Sequence, residues 1–476
     1  MKSIAAALSA CLLLAGCQGE PDKNAETSQA PVTASSTALT VPVHYETLDN
    51  GLKVVLSPDH TAPIVAVGVY YNIGFRIEPR DRTGFAHLFE HMMFQGSQNL
   101  PKGEFDKLVN GNGGINNGST RFDFTNYFEI LPSNALETFV WVEADRMRGL
   151  NITQAELTNQ QGVVKNEVKV NVMNQPYGGF PWLDLPQLAF DNWYNSHNFY
   201  GELEDLDAAT LEDVDAFFKQ FYAPNNAVFV VTGDLDVEQT MAWVKQYFGD
   251  IPAAPVTPLP DISEAPQTAE RKGSRIAPLA PKPAYAVAYR MPPRNSDAWY
   301  AMGLIDQILL QGDDSLLHQK LVEETGITSS VSGGINALGN MFNYNGPMLW
   351  SASLIHDNEV GEETITAAIS DTVATLQASP VSEDVLDRAK VKFRSALYDT
   401  IDGFYGVGKL DLLATFALFD DNPARINELE SAFEKVTPAM IQETAKQYLK
   451  KEQRTIFTVL PAPAEAEASA TEQGGE

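Results

Sequence analysis

The sequence is poor in several features that would fix a protein's class at once. It has two cysteines in 476 residues. One of them, Cys11, lies in a segment expected to be removed, so the mature fold has no internal disulfide. Lysine and arginine number 33 against 62 aspartates and glutamates, a net charge of −29, which argues against any partner that must have a phosphate backbone neutralised. The N-terminal apolar run, IAAALSACLLLAG, is too short to span a bilayer. Only seven histidines are present, so any chance pattern among them is uncommon. What remains is ordinary for a globular protein, with 44% hydrophobic and 20% charged residues. The length exceeds one hydrophobic core, and two or more domains are expected.

Met1 and Lys2 followed by the short apolar run read as a secretion signal. The run ends in LAGC, Leu14 to Cys17, which resembles a bacterial lipobox. Cleavage before Cys17 would make its thiol the lipid attachment site and so a membrane anchor; an ordinary signal peptide with a chance cysteine is the plainer alternative. Residues 1–16 are therefore expected to be a lipoprotein signal peptide, and 17–40 a lipidated cysteine with a polar tether. The expected place is the periplasm, attached through Cys17, with Gln18 pointing to the outer membrane. A proline-rich stretch at 251–283 reads as a linker between domains at 41–250 and 284–460. The acidic tail, 461–476, reads as disordered.

The halves look related. KQFYAPNNAVFVVTG (219–233) and KQYLKKEQRTIFTVL (446–460) each read as a helix end, a turn and a strand, at the end of their half. Within the first half, IVAVGVYYNIG (64–74) is a largely buried strand. The stretch 110–132 reads as a Gly/Asn-rich loop running into a strand. TQAE (153–156) and TLED (210–213) open helices. Strands alternating with helices in each half give an α+β fold.

GFAHLFEHMMFQGS (84–97) carries two histidines four apart with a glutamate beside the second. On a helix His87 and His91 project from one face, with Glu90 next to them. Two imidazoles so placed can bind one zinc ion, and the carboxylate can take a proton from activated water. A polar stripe on a packed helix is the bland reading. A catalytic zinc usually takes three protein ligands. Glu167, in VVKNEVKV beside Val163, Val164 and Val168, is a candidate for the third, though spacing alone barely separates it from a solvated helix face.

The motif and its distant glutamate resemble the pitrilysin–insulysin–mitochondrial processing peptidase family of zinc metallopeptidases. NNGSTRFDFTNY, NQPYG, GELEDLDAATLEDVDAFFKQFYAPNNAVFVVTGD and GDDSLLHQKLVEETGI extend the resemblance over roughly residues 41–460. It implies two homologous domains, each a largely antiparallel sheet covered by helices, together forming half of a clamshell chamber. It implies one Zn2+ per chain held by His87, His91 and Glu167, with Glu90 as general base in peptide hydrolysis. Asn117 and Gly118 match positions that hold a peptide substrate as an added strand. Gln160 stands where the family often has a second glutamate, and could hydrogen-bond a ligand from behind. His197 matches a structural loop position.

The resemblance fails in the second half. Val322 and Ser329 stand where active single-chain members place an arginine and a tyrosine that hold the substrate carbonyl, and no second H-x-x-E-H occurs. This leads us to expect a heterodimer with a related subunit supplying those groups, or a homodimer. The competing expectation is a non-catalytic peptide-binding or assembly subunit of the same fold. A structural zinc is disfavoured because such sites normally have four protein ligands.

Overall fold

The computed structural model describes residues 40–463 with the exception of Thr257. The signal segment, Cys17, the tether and the acidic tail past residue 463 lie outside the described residues. From Val41 onward the described chain forms one compact unit containing two sheets. The first holds β1 (His44–Thr47), β2 (Lys53–Pro58), β3 (Ile64–Tyr71), β4 (Ile115–Thr120), β5 (Thr125–Pro132) and β6 (Ala227–Gly233), in the order β1-β2-β6-β3-β5-β4. The second holds β7 (Arg271–Ala277), β8 (Ala284–Arg290), β9 (Ser332–Ile335), β10 (Leu349–Ile355) and β11 (Arg454–Pro461), in the order β7-β11-β8-β10-β9. The pairings are antiparallel except β2 with β6 and β7 with β11. This is the α+β, largely antiparallel architecture expected.

Eight helices carry the argument: α1 (Phe85–Met92), α2 (Leu136–Arg148), α3 (Gln154–Val168) and α4 (Leu211–Phe221) in the first half, then α5 (Asp297–Leu309), α6 (Glu383–Asp402), α7 (Val407–Asp420) and α8 (Pro438–Tyr448). Strands β2, β6, β3, β5 and β4 correspond in order to β7, β11, β8, β10 and β9. Helix α1 packs on α3 and β4, as α5 packs on α6 and β9. The chain is an internal duplication. Capping boxes form at Thr153 and Thr210 and start α3 and α4, as their sequences direct.

Strand β3, IVAVGVYY, is buried along almost its whole length, so both faces of the first sheet need cover. One face packs against Leu88 and Phe89 of α1, Phe139 and Val140 of α2, and Phe217 of α4. The other is covered by α7, a helix of the second half lying across β2, β3 and β6. A polar tie joins the halves as well. Arg76, wholly buried, donates to Asp123 Oδ1 at 2.7 Å, and Asp123 Oδ2 accepts the backbone N–H of Asn345 at 2.8 Å. Arg121 donates to the carbonyl of Leu338.

Two stretches differ from the reading of the sequence. Residues 115–120, read as loop, are β4, paired along their length with β5. Their Gly/Asn composition hides the strand, because an edge strand needs no apolar outer face. The stretch read as a linker from 251 to 283 contains β7, which adds to the edge of the second sheet beside β11. Its charges, Arg271, Lys272 and Arg275, mask it for the same reason. Among the described residues no helix is long and apolar enough to cross a membrane.

Candidate metal centre

Helix α1 begins at Gly84, whose φ of 78° is left-handed and whose missing side chain lets the carbonyl of Tyr200 approach; a Cβ there would lie 2.5 Å from that oxygen. Phe85, Leu88, Phe89 and Met92 of α1 turn into the core. That orientation sends His87 and His91 to the opposite side, towards α3.

His87, His91 and Glu167 converge there. Their donor atoms all lie within 4.8 Å of one another, and they form the group of potential metal ligands found among the described residues. The two Nε2 atoms are 3.4 Å apart. Glu167 places Oε1 at 3.6 Å from His87 Nε2 and Oε2 at 3.3 Å from His91 Nε2. Two donors each roughly 2.1 Å from a tetrahedral ion stand roughly 3.4 Å apart, so the spacing fits zinc. Electrostatics fits as well. Burial pushes His87 down to about 4 against the pull of Glu167, leaving a neutral imidazole with a lone pair to give. The hydrogen bond with His91 leads the interactions that hold Glu167 below the usual carboxylate range, against its burial. His91 and Glu167 remain partly exposed, so the cluster is reachable from solvent.

Glu90 lies beside the cluster and accepts a 2.7 Å hydrogen bond from Thr120 Oγ1 on β4. Burial raises its pKa, with the Thr120 hydroxyl opposing. Asn117 is exposed on β4, and its side-chain oxygen accepts the N–H of Gly118 at 2.9 Å. Gly118 faces inward, where a Cβ would lie 3.1 Å from Glu90 Cγ. Gln160 is buried on α3, and no hydrogen bond ties it to the three converging residues. The side-chain hydroxyl near Glu167 is that of Tyr200, at 3.4 Å from Oε1. Val163 is exposed, unlike the buried Val164 and Val168, so the apolar face of α3 is narrower than its sequence implies.

Thr120, Tyr200 and Glu78 escaped the sequence reading. Glu78 is fully buried and accepts the N–H groups of Gly84 at 2.9 Å and Ala86 at 2.5 Å, closing the N-terminus of α1 from outside the helix. His197 lies behind it at 3.7 Å, stacked on Trp193 and bonded to the carbonyl of Phe75.

Two family models match the chain: "Insulinase (Peptidase family M16)" over residues 53–177 and "Peptidase M16 inactive domain" over residues 208–393. The chain belongs to the insulinase family. The zinc protease PqqE of Helicobacter pylori is 30% identical over 294 residues, which are 60% of this chain and 64% of that protein. The probable mitochondrial-processing peptidase subunit beta of Arabidopsis thaliana is 26% identical over 250 residues, 51% of this chain and 46% of that protein. The match thus spans less than two thirds of either relative. Among solved structures, a protease from Helicobacter pylori has the same fold, with a TM-score of 0.81 at 23% identity over 88% of this chain and 100% of that one.

In the second half of this insulinase-family chain the described residues form no comparable group of potential ligands. Aligning the FQGS that follows α1 with the LQGD that follows α5 sets His87, Glu90 and His91 opposite Gly303, Asp306 and Gln307. Aligning the N-caps of α3 and α6, Thr153 and Ser382, sets Glu167 opposite Ala396. The same scaffold is present, with every potential ligand replaced.

Proposed function

We propose that the chain is a zinc-dependent endopeptidase in which His87, His91 and Glu167 hold the metal and Glu90 is the general base. The convergence of His87, His91 and Glu167 from α1 and α3, with Glu90 beside them, is the observation that carries this reading. His87, His91 and Glu167 would hold the zinc, which when bound would supply Lewis acidity towards a peptide carbonyl and water. Glu90 Oε2 is engaged by Thr120, leaving Oε1 to take the proton from water and pass it to the departing amine. Strand β4 is the last strand of its sheet, so its outer backbone groups can pair with a peptide strand alongside Asn117 and Gly118. The natural substrates on this reading are peptides bound through their backbone.

A related subunit completes the site. Val322 lies on the segment Gln319–Glu324 and Ser329 is exposed in the loop before β9; neither can donate as an arginine and a tyrosine would. The subunit name of the Arabidopsis relative supports a paired arrangement. We place the protein in the periplasm, anchored by lipid on Cys17, with domains divided near residues 251–270. The same Val322 and Ser329 favour a second reading, a non-catalytic peptide-binding subunit. Hydrolysis of a quenched-peptide library by the purified chain, with zinc measured on the same sample, separates them. Cleavage abolished by chelation and by Glu90→Gln supports the peptidase. One bound zinc with no cleavage, even with a related subunit added, refutes it.

A further inference from the structure

The base is gripped by the strand on which a peptide would lie. Gly118 and Thr120 are two apart on β4 and share its inner face; both are buried against α1. The absent side chain of Gly118 brings the stem of Glu90 against the strand, since a Cβ would stand 3.1 Å from Glu90 Cγ. Thr120 Oγ1 then donates to Glu90 Oε2 at 2.7 Å. Among the described residues no other side chain donates to Glu90. The second neighbour of that hydroxyl, the carbonyl of Ala86, is at 3.4 Å and is the weaker contact.

We propose that Thr120 is the positioning residue for Glu90: its hydroxyl occupies one carboxylate oxygen and so turns the other towards the reacting water. The Thr120 side chain is not one of the converging potential ligands, so it acts through Glu90. The arrangement places the base on the strand that aligns the substrate, so that both are set from one element. This inference rests on the peptidase reading above.

Two substitutions separate the hydroxyl from the shape of the side chain. Thr120→Val keeps the volume and removes the donor; Thr120→Ser keeps the donor. In the zinc-loaded full chain, Thr120→Val should lower kcat roughly 10- to 100-fold, part of what a general base contributes. KM and zinc content should stay at wild-type values, the Tm of the zinc-free protein should fall slightly because Glu90 loses its donor, and Thr120→Ser should restore kcat to within a few-fold. In a Glu90→Gln background Thr120→Val should cost nothing further. A second readout does not need turnover. The side-chain carboxyl 13C resonance of Glu90, assigned by its disappearance in Glu90→Gln, should move in Thr120→Val and stay in Thr120→Ser. Wild-type kcat in Thr120→Val, a Thr120→Ser variant as slow as Thr120→Val, or an unmoved Glu90 resonance overturns the inference. If the wild type binds zinc and cleaves nothing even with a related subunit added, the peptidase reading falls, and the resonance still decides whether Thr120 holds Glu90.

Discussion

Gly68 and Leu410 meet where the halves interlock: a Cβ on Gly68 of β3 would lie 2.9 Å from Cδ2 of Leu410 on α7. A side chain at Gly68 overfills that contact, so Gly68→Ala should cost about 1–3 kcal/mol of unfolding free energy. Leu410→Ala alone should cost about 2–5 kcal/mol through the cavity it leaves. The double variant should be more stable than the sum of the two costs allows, because the small residue makes room for the added methyl. Denaturant titration of the four proteins measures this. Strict additivity would mean that α7 and β3 do not press on one another here.

Metal removal should be visible in stability. A ligand that binds only the folded state stabilises it by about 4 kcal/mol at a thousandfold excess over Kd. Scanning calorimetry with and without a chelator should show Tm falling by several degrees in the wild type. His91→Ala, lacking one of the converging donors, should show no chelator effect. Equal shifts in both proteins would place the metal elsewhere.

The seat of α1 makes a separate prediction. Glu78→Ala leaves the N–H groups of Gly84 and Ala86 buried without their acceptor, at a cost of about 2 kcal/mol or more. The histidines ride on that helix, so zinc affinity should fall roughly tenfold, as when a partner behind a ligand is lost. Competition with a zinc-sensitive dye reads this out. A destabilised variant with unchanged zinc affinity would show that Glu78 supports the fold alone.

Asp306, opposite Glu90 in the duplication, makes the stability pH-dependent. Burial raises its pKa from 3.8 to about 6, while Trp350 Nε1, donating at 2.8 Å, and Gln311 oppose. The folded state therefore holds this proton more tightly than the unfolded chain. The stabilisation is complete below about pH 4 and is lost as pH rises through about 6. Asp306→Asn removes the titration while keeping an acceptor for Trp350. Its stability relative to wild type should rise by about 3 kcal/mol between pH 4 and pH 7.5. A difference that does not change with pH would show that Asp306 titrates normally.

Local chemistry was legible in the sequence and tertiary chemistry was not. His87, Glu90 and His91 lie within two turns of one helix, so periodicity alone put them on one side. Glu167 is remote in sequence, and spacing left it barely distinguished; resemblance to a family singled it out, and the fold brings it to the histidines. Thr120, Tyr200 and Glu78 carry common side chains whose partners are set only by how β4, the loop before Tyr200 and the turn before α1 pack, and nothing local marks them. The edge strands β4 and β7 were hidden because a strand paired on one side can be polar on the other.

Helix α7 is encoded with the copy that has no ligands, yet it lines the sheet of the copy that has them. A gene ending before residue 271 would make a first half whose β2, β3 and β6 present an apolar face to water, a surface that recruits other chains. The ligand-free copy is therefore free to diverge around Gly303, Asp306 and Gln307 but not to be deleted. The second half thus serves the first as a scaffold, through the surface that α7 covers.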